Sequence, residues 1–172
     1  MIRSYQCNNV YRQIVVIVIL VFAVGCTQSR STGAVTKDPF VTNGHHAAIN
    51  EMVSIGSIWK IQLTAIKSNS GVNDEKPGGG NVYVICSMNF TNATSQPQDL
   101  YTVTAFTLQD AAKQRYTPIT LSFAQSPDGT IAAHATASGD IPFEVPASQS
   151  QFTLDFSTND GQGFWDVTIP NS

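Results

Sequence analysis

The side chains able to do chemistry are few, and their spacing limits what they could do. The 172-residue chain holds three cysteines, three histidines and twelve carboxylates. Cys7, Cys26 and Cys86 lie in three unrelated settings and do not make a disulfide framework. A reactive thiol needs a cationic or helix N-terminal neighbourhood; Cys86 alternates with apolar residues instead and reads as core filler, the usual fate of a free cysteine. The adjacent His45-His46 could bind a metal, but no third ligand follows at a recognisable spacing, and His134 stands alone in a loop. A Ser-His-Asp triad would have to rest on one of these histidines, and no G-x-S-x-G elbow is present. Asp140 with Glu144, or Asp155 with Asp166, could be paired carboxylates, although solvated strand faces account for both pairs. Gly78-Gly79-Gly80 has the look of a phosphate loop but lacks the following Lys-Ser/Thr and leads into a strand. The sequence therefore assigns no catalytic residue, no metal ligand and no cofactor, and predicts a protein that is not an enzyme.

The clearest chemical signal is Cys26. Residues 1–13 carry Arg3 and Arg12 and no acid, and residues 14–24 are eleven uninterrupted apolar positions. This is the layout of a secretory signal peptide. The run is too short to span a bilayer, which takes ~20 apolar residues. It ends in Ala23-Val24-Gly25-Cys26, which resembles the lipobox of bacterial lipoproteins, where the cysteine is diacylated and becomes the mature N-terminus. Two buried acyl chains are what stable anchoring needs. The resemblance implies attachment to a membrane through Cys26, with the rest of the chain on the extracytoplasmic side.

Charged residues make up 12% of the chain, about half the usual ~25%. Beyond Cys26, seven bases face twelve acids, a net of −5. A negative domain without a Lys/Arg cluster cannot neutralise phosphates, so nucleic acid is excluded as a partner.

The elements that would carry any site are strands. In Asn81–Asn92 the residues Val82, Val84, Cys86, Met88 and Phe90 alternate with Tyr83, Ile85, Ser87 and Asn89, a two-residue period that marks a strand with one face in a core. Tyr83 and Ile85 add apolar character to the second face, which predicts a central strand. Met52–Ile55 reads as a short strand, and residues 58–67 put Trp59, Ile61, Leu63 and Ala65 inward. Residues 100–110 alternate with Phe106 and Leu108 inward, residues 116–123 contain a further strand, and Pro127-Asp128-Gly129 marks a turn. In residues 138–146 Ile141, Phe143 and Val145 share a face, and Pro142 argues for a sheet edge or bulge. Phe152, Leu154 and Phe156 do the same over residues 151–157, and Trp165, Val167 and Ile169 over residues 164–169. Seven or eight short strands with no helix of ordinary length predict an all-β chain, an antiparallel immunoglobulin-like β-sandwich.

The domain plan is a signal peptide at 1–25, a flexible tether at 26–50 whose polar composition buries too little to order itself, and a sandwich at 51–172. Residues 68–80 are the longest stretch inside the domain without apolar periodicity. Loops this long are usually functional or disordered, and Asn73, Asp74, Glu75 and Lys76 are its candidate contacts.

Three blocks carry a family resemblance: residues 59–66, the strand ending in NFTNAT with the later LQDAAKQRY, and SGDIPFEVPASQSQFTLDF. They resemble a family of bacterial extracytoplasmic lipoproteins of unknown function, whose immunoglobulin-like domain is related to a mycobacterial secreted immunoprotective protein. Asn92, Asp110, Tyr116, Gly139, Phe143, Val145, Pro146 and Leu154 hold the family's positions, while Gln114 or a neighbour stands where the family often has glycine. The resemblance implies a fold and a location, and no site. The leading expectation is a membrane-tethered binding module. The alternative is a structural cell-envelope lipoprotein that pairs with another envelope protein through a sheet edge.

Overall fold

The computed structural model describes residues 45–169. Eleven strands and one helical turn follow in order: β1 (His46–Ala47), β2 (Met52–Ile55), β3 (Trp59–Asn69), β4 (Asn81–Asn92), β5 (Gln98–Leu100), α1 (Thr102–Ala105), β6 (Phe106–Asp110), β7 (Arg115–Tyr116), β8 (Gly129–Ile131), β9 (Thr136–Pro146), β10 (Gln151–Thr158) and β11 (Gly161–Thr168). Two sheets form the expected sandwich, one in the order β1-β11-β10-β6-β7 and the other β2-β3-β4-β9, while β5 and β8 pair separately.

Alternation along the strands builds the interior. Ile61, Leu63, Val84, Cys86, Met88, Phe90, Ile141, Phe143 and Val145 come from the β4 sheet and meet Phe106, Leu108, Phe152, Leu154, Phe156 and Trp165 from the β10 sheet, all buried in one core. Phe106 sits edge-on to Phe90 at 5.8 Å and tilted against Phe156 at 4.9 Å between ring centroids, within the range where aromatic pairs gain from their quadrupoles. β4 is central and has the ends the sequence predicts, paired with β3 on one side and β9 on the other.

Four expectations change. The alternation in β3 breaks at a bulge between Leu63 and Ala65, after which Ala65 pairs with Ser87 and Ile66 with Cys86. One inserted residue flips the face of everything after it, so Ile66, not Ala65, packs on the core. The strand expected over residues 100–110 is split, because Thr102–Ala105 closes into one helical turn whose first N–H donates to Asp128 Oδ1 at 2.6 Å. The strand expected within residues 116–123 is only Arg115–Tyr116. Finally, His46–Ala47 belongs to the domain, not to a tether: it pairs in parallel with Phe164 and Trp165, and Ala47 is buried. The predicted signal peptide, Cys7 and Cys26 lie outside the described residues.

β9 is an edge strand, as Pro142 suggested, and the edge is capped. The Ile119 N–H donates to the Pro142 carbonyl at 2.9 Å, and the Asp140 N–H to the Gln125 carbonyl at 2.7 Å. Residues 117–124 thus run beside β9 and over the outer face of its sheet. Phe123 lies 6.2 Å from the Tyr83 ring, and Tyr83, Ile85 and Leu121 are buried although they point away from the main core. Gly139 makes the close approach possible: a Cβ there would meet the Pro127 nitrogen at 2.6 Å and the Gln125 carbonyl oxygen at 2.7 Å.

Candidate functional site

The predicted contact loop is built into the domain. Val72 and Glu75 form an isolated antiparallel bridge, with Asn73 in a left-handed conformation at the tight turn between them. The Glu75 carboxylate accepts from both the N–H and the hydroxyl of Ser122, at 2.9 and 2.8 Å to Oε2. Further along, Glu144 Oε1 accepts from the Gly78 N–H and from Asn81 Nδ2, each at 2.8 Å. The Asn81 and Gly78 bonds favour the ionised carboxylate and hold Glu144 below the usual glutamate range. Of the four candidate residues, Glu75 is therefore a strut fixing the loop to residues 117–124, and Lys76 reaches back to the Gly71 carbonyl. Asn73 and Asp74 are the exposed tip.

The residues shared with the resembled family turn out to hold turns and packing. Asn92 is fully buried: its Nδ2 donates to the carbonyls of Gln96, Ile131 and Ala132, and its Oδ1 accepts from the Thr94 N–H. Asp110 accepts from the Gln114 N–H and from the Tyr116 hydroxyl. Burial and that hydrogen bond raise the Tyr116 pKa, and its ring meets Phe152 edge-on at 6.0 Å. Phe143, Val145 and Leu154 are in the core.

Cys86 is buried, and burial pushes its thiol up to about 12, which removes the thiolate. Among the described residues no three His, Cys, Asp or Glu side chains converge on a metal site. Two of the three histidines are engaged locally: His45 Nε2 lies 3.1 Å from Glu51, and His46 Nδ1 lies 2.6 Å from Asp166 Oδ1 while its ring stacks on Phe164; His134 sits at a left-handed turn position. The expected carboxylate pairs separate into different roles. Asp140 accepts from the Ser87 hydroxyl at 2.6 Å, and Glu144 braces the 78–81 turn. Asp155 and Asp166 lie on the outer face of neighbouring strands but pair across the ladder with Phe164 and Thr153. Asp155 keeps a buried Oδ1 without a partner, and burial raises its pKa against the opposing pull of Arg115.

Sequence reasoning passed over a cleft at the end of the β10 sheet. It has a volume of about 360 Å³ and lies between the 111–114 turn, the start of β10 and the end of β11; Gln109, Lys113, Gln151, Thr153, Asp166 and Thr168 are among its lining residues. The signal for it was scattered over three segments, none unusual by itself. The cleft and the 70–80 loop are at the same end of the sandwich, joined through the Ala147 N–H bond to the Gly80 carbonyl at 2.9 Å. At the opposite end the 56–58 and 159–160 turns meet.

The chain belongs to the family described as Domain of unknown function (DUF4352), which matches residues 47–164. That match begins within β1, in keeping with the start of the fold. No curated protein matches the sequence. Among solved structures, the domain is similar to a candidate lipoprotein of Bacillus subtilis, ycdA (TM-score 0.56, 13% identity), over 67% of this chain but only 38% of that one. It is also similar to MPT63, a secreted protein of Mycobacterium tuberculosis (TM-score 0.54, 10% identity, 72% of this chain and 98% of that one). A third likeness is to the yjhA protein of Bacillus subtilis (TM-score 0.53, 14% identity, 72% of this chain and 99% of that one). At these identities the likeness establishes a shared β-sandwich fold.

Proposed function

We propose that this chain is an extracytoplasmic, membrane-anchored binding module that performs no catalysis. Acylated Cys26 holds it to the envelope, and the end of the sandwich bearing the 70–80 loop and the 111–114 turn faces its partner. The observation that carries this reading is the direction of β1. It runs parallel to β11, so His45 lies toward the Gly161 end, opposite the loop and the cleft. The chain thus enters the described fold at the end away from the cleft. Resemblance of residues 23–26 to a lipobox, and the fold shared with a secreted protein and a candidate lipoprotein, support the location.

The structural alternative, pairing through a sheet edge, has little edge to use. β9 is capped by residues 119–125, β1 and β7 offer two residues each, and β2 offers four. A partner strand needs a longer row of free backbone groups for a stable pairing.

Two experiments test the reading. Cys26→Ala should abolish labelling by a fatty-acid analogue and move the protein from the membrane to the soluble fraction, whereas Cys7→Ala should do neither; labelling that persists without Cys26 removes the anchor. A photo-cross-linking residue at Lys76 should capture a partner in intact cells, and one at Met52, on β2, should not. Capture from Met52 alone would favour the edge-pairing alternative.

A further inference from the structure

We propose that the cleft beside the 111–114 turn is a binding site for a short zwitterionic peptide, whose carboxylate meets Lys113 and whose ammonium meets Asp166. The inference rests on reading the domain as a binding module and names the class of ligand it takes.

The volume of about 360 Å³ is at the small end of the ~300–1,000 Å³ typical of clefts that hold small molecules. Apart from its two carboxylates, its polar groups are unengaged. Among the described residues the side chains of Gln109, Gln151, Thr153 and Thr168 make no hydrogen bond with the protein, and Lys113 makes no ion pair. The β4 sheet behaves differently: there the outward polar side chains satisfy one another, Ser87 with Asp140, Gln62 with Asn89, Asn89 with Ser138, and Thr91 with Thr136, at 2.6 to 3.4 Å. Two amides and two hydroxyls thus stand between one cation and one carboxylate, a set of donors and acceptors that matches peptide groups flanked by opposite terminal charges.

The two carboxylates at the cleft are not equivalent. Asp110 is consumed by the Gln114 N–H and the Tyr116 hydroxyl. Asp166 has a 2.6 Å contact from His46 to one oxygen, and its side chain is 70% exposed, so it remains open to an incoming ammonium.

Lys113 is also held at a cost. Its φ is +67°, with its N–H donating to the Asp110 carbonyl at 3.0 Å. Glycine occupies that conformation without steric penalty, and a side chain does not. The turn thus carries a charged side chain at a position whose backbone glycine would adopt with less strain.

The test is calorimetric titration of the full chain in detergent with trialanine, N-acetyltrialanine and trialaninamide. Trialanine should bind, and trialaninamide, without the carboxylate, should bind about tenfold or more weakly, the equivalent of one lost charge-assisted contact. Lys113→Gly should raise the Tm yet weaken trialanine to the level of the amide, a combination that a purely structural role for Lys113 does not produce. Asp166→Asn should weaken trialanine and leave N-acetyltrialanine unchanged, which separates the loss of an ammonium contact from the loss of the His46 contact. Absence of binding at millimolar trialanine, equal affinity for the three peptides, or undiminished binding by Lys113→Gly would each overturn the proposal. Partner capture from Lys76 is read independently, so a cleft that binds no peptide leaves the binding-module reading standing.

Discussion

The two outer faces of the sandwich are finished in opposite ways. Over the lower half of the β4 sheet, residues 117–124 bring Phe123 against Tyr83, and Ile85 and Leu121 are buried beneath the same cover. Above it the polar side chains bond to one another. Among the described residues no segment crosses the β10 sheet: Thr107, Thr153 and Asp166 project from it, and the cleft opens at its end. A covered face spends its side chains on stability, and an uncovered one keeps them available for contact. The same alternation of residues serves both, and what differs is whether a loop returns across the sheet.

Substitutions separate the two faces most sharply when scaled against the interior they share. Phe143→Ala and Phe152→Ala, both buried between the sheets, should cost about 3–5 kcal/mol in denaturant unfolding, a large part of the ~5–15 kcal/mol available to a domain. Ile85→Ala removes buried surface beneath the 117–124 segment and should cost about 2 kcal/mol. A value near zero would mean that this segment is not docked in solution. Glu75→Ala cuts the two bonds to Ser122 and should cost about 1 kcal/mol, with faster amide exchange confined to residues 70–80 and 117–124. Thr153→Ala, on the bare face, should fall within ~0.5 kcal/mol, as should Lys60→Ala.

A pH series tests the bare face at the half-buried Asp155. Because burial raises the Asp155 pKa, its ionisation opposes folding: the favourable state is complete below the ordinary value of 3.8 and is lost as pH rises through the higher folded value. Asp155→Asn should therefore raise the Tm at neutral pH and lose that advantage in acid. An advantage that persists in acid would assign the effect to packing instead of charge. Glu144 runs the other way. Its pKa is lowered by Asn81 and Gly78, so its contribution is present above the ordinary glutamate value and disappears as pH falls through the folded one, which should loosen the 78–81 turn in acid.

Much of this architecture was legible in the residues. Asn81–Asn92 could be read with its true ends, and the inward sets of β9, β10 and β11 follow from strict alternation. What alternation cannot report is an inserted residue or the identity of a stripe's partner. The bulge in β3 exchanged Ala65 for Ile66. Residues 116–123 carry Ile119, Leu121 and Phe123 at the spacing of a strand, yet most of them form a cover along β9, because the same stripe can bury itself against a sheet without joining its ladder. His46–Ala47 was too short to show a period at all. The 68–80 loop looked unstructured because its order comes from carboxylates bonded 47 and 66 residues away in sequence. The cleft was illegible for a related reason: its walls come from β6, β10 and β11, and only the fold brings them together.

The parallel pairing of β1 with β11 also has a mechanical meaning. A pull on the chain where it enters β1, against a hold at the far end of the sandwich, runs along the strands. It would act on the His46–Phe164 and Ala47–Trp165 pairing lengthwise, loading these backbone bonds together in shear. A hairpin pulled from its open end parts one bond at a time. The His46 ring against Phe164 and its contact with Asp166 sit on the same joint and would have to slide with it, so this short strand is placed to resist a lengthwise pull on the chain ahead of it.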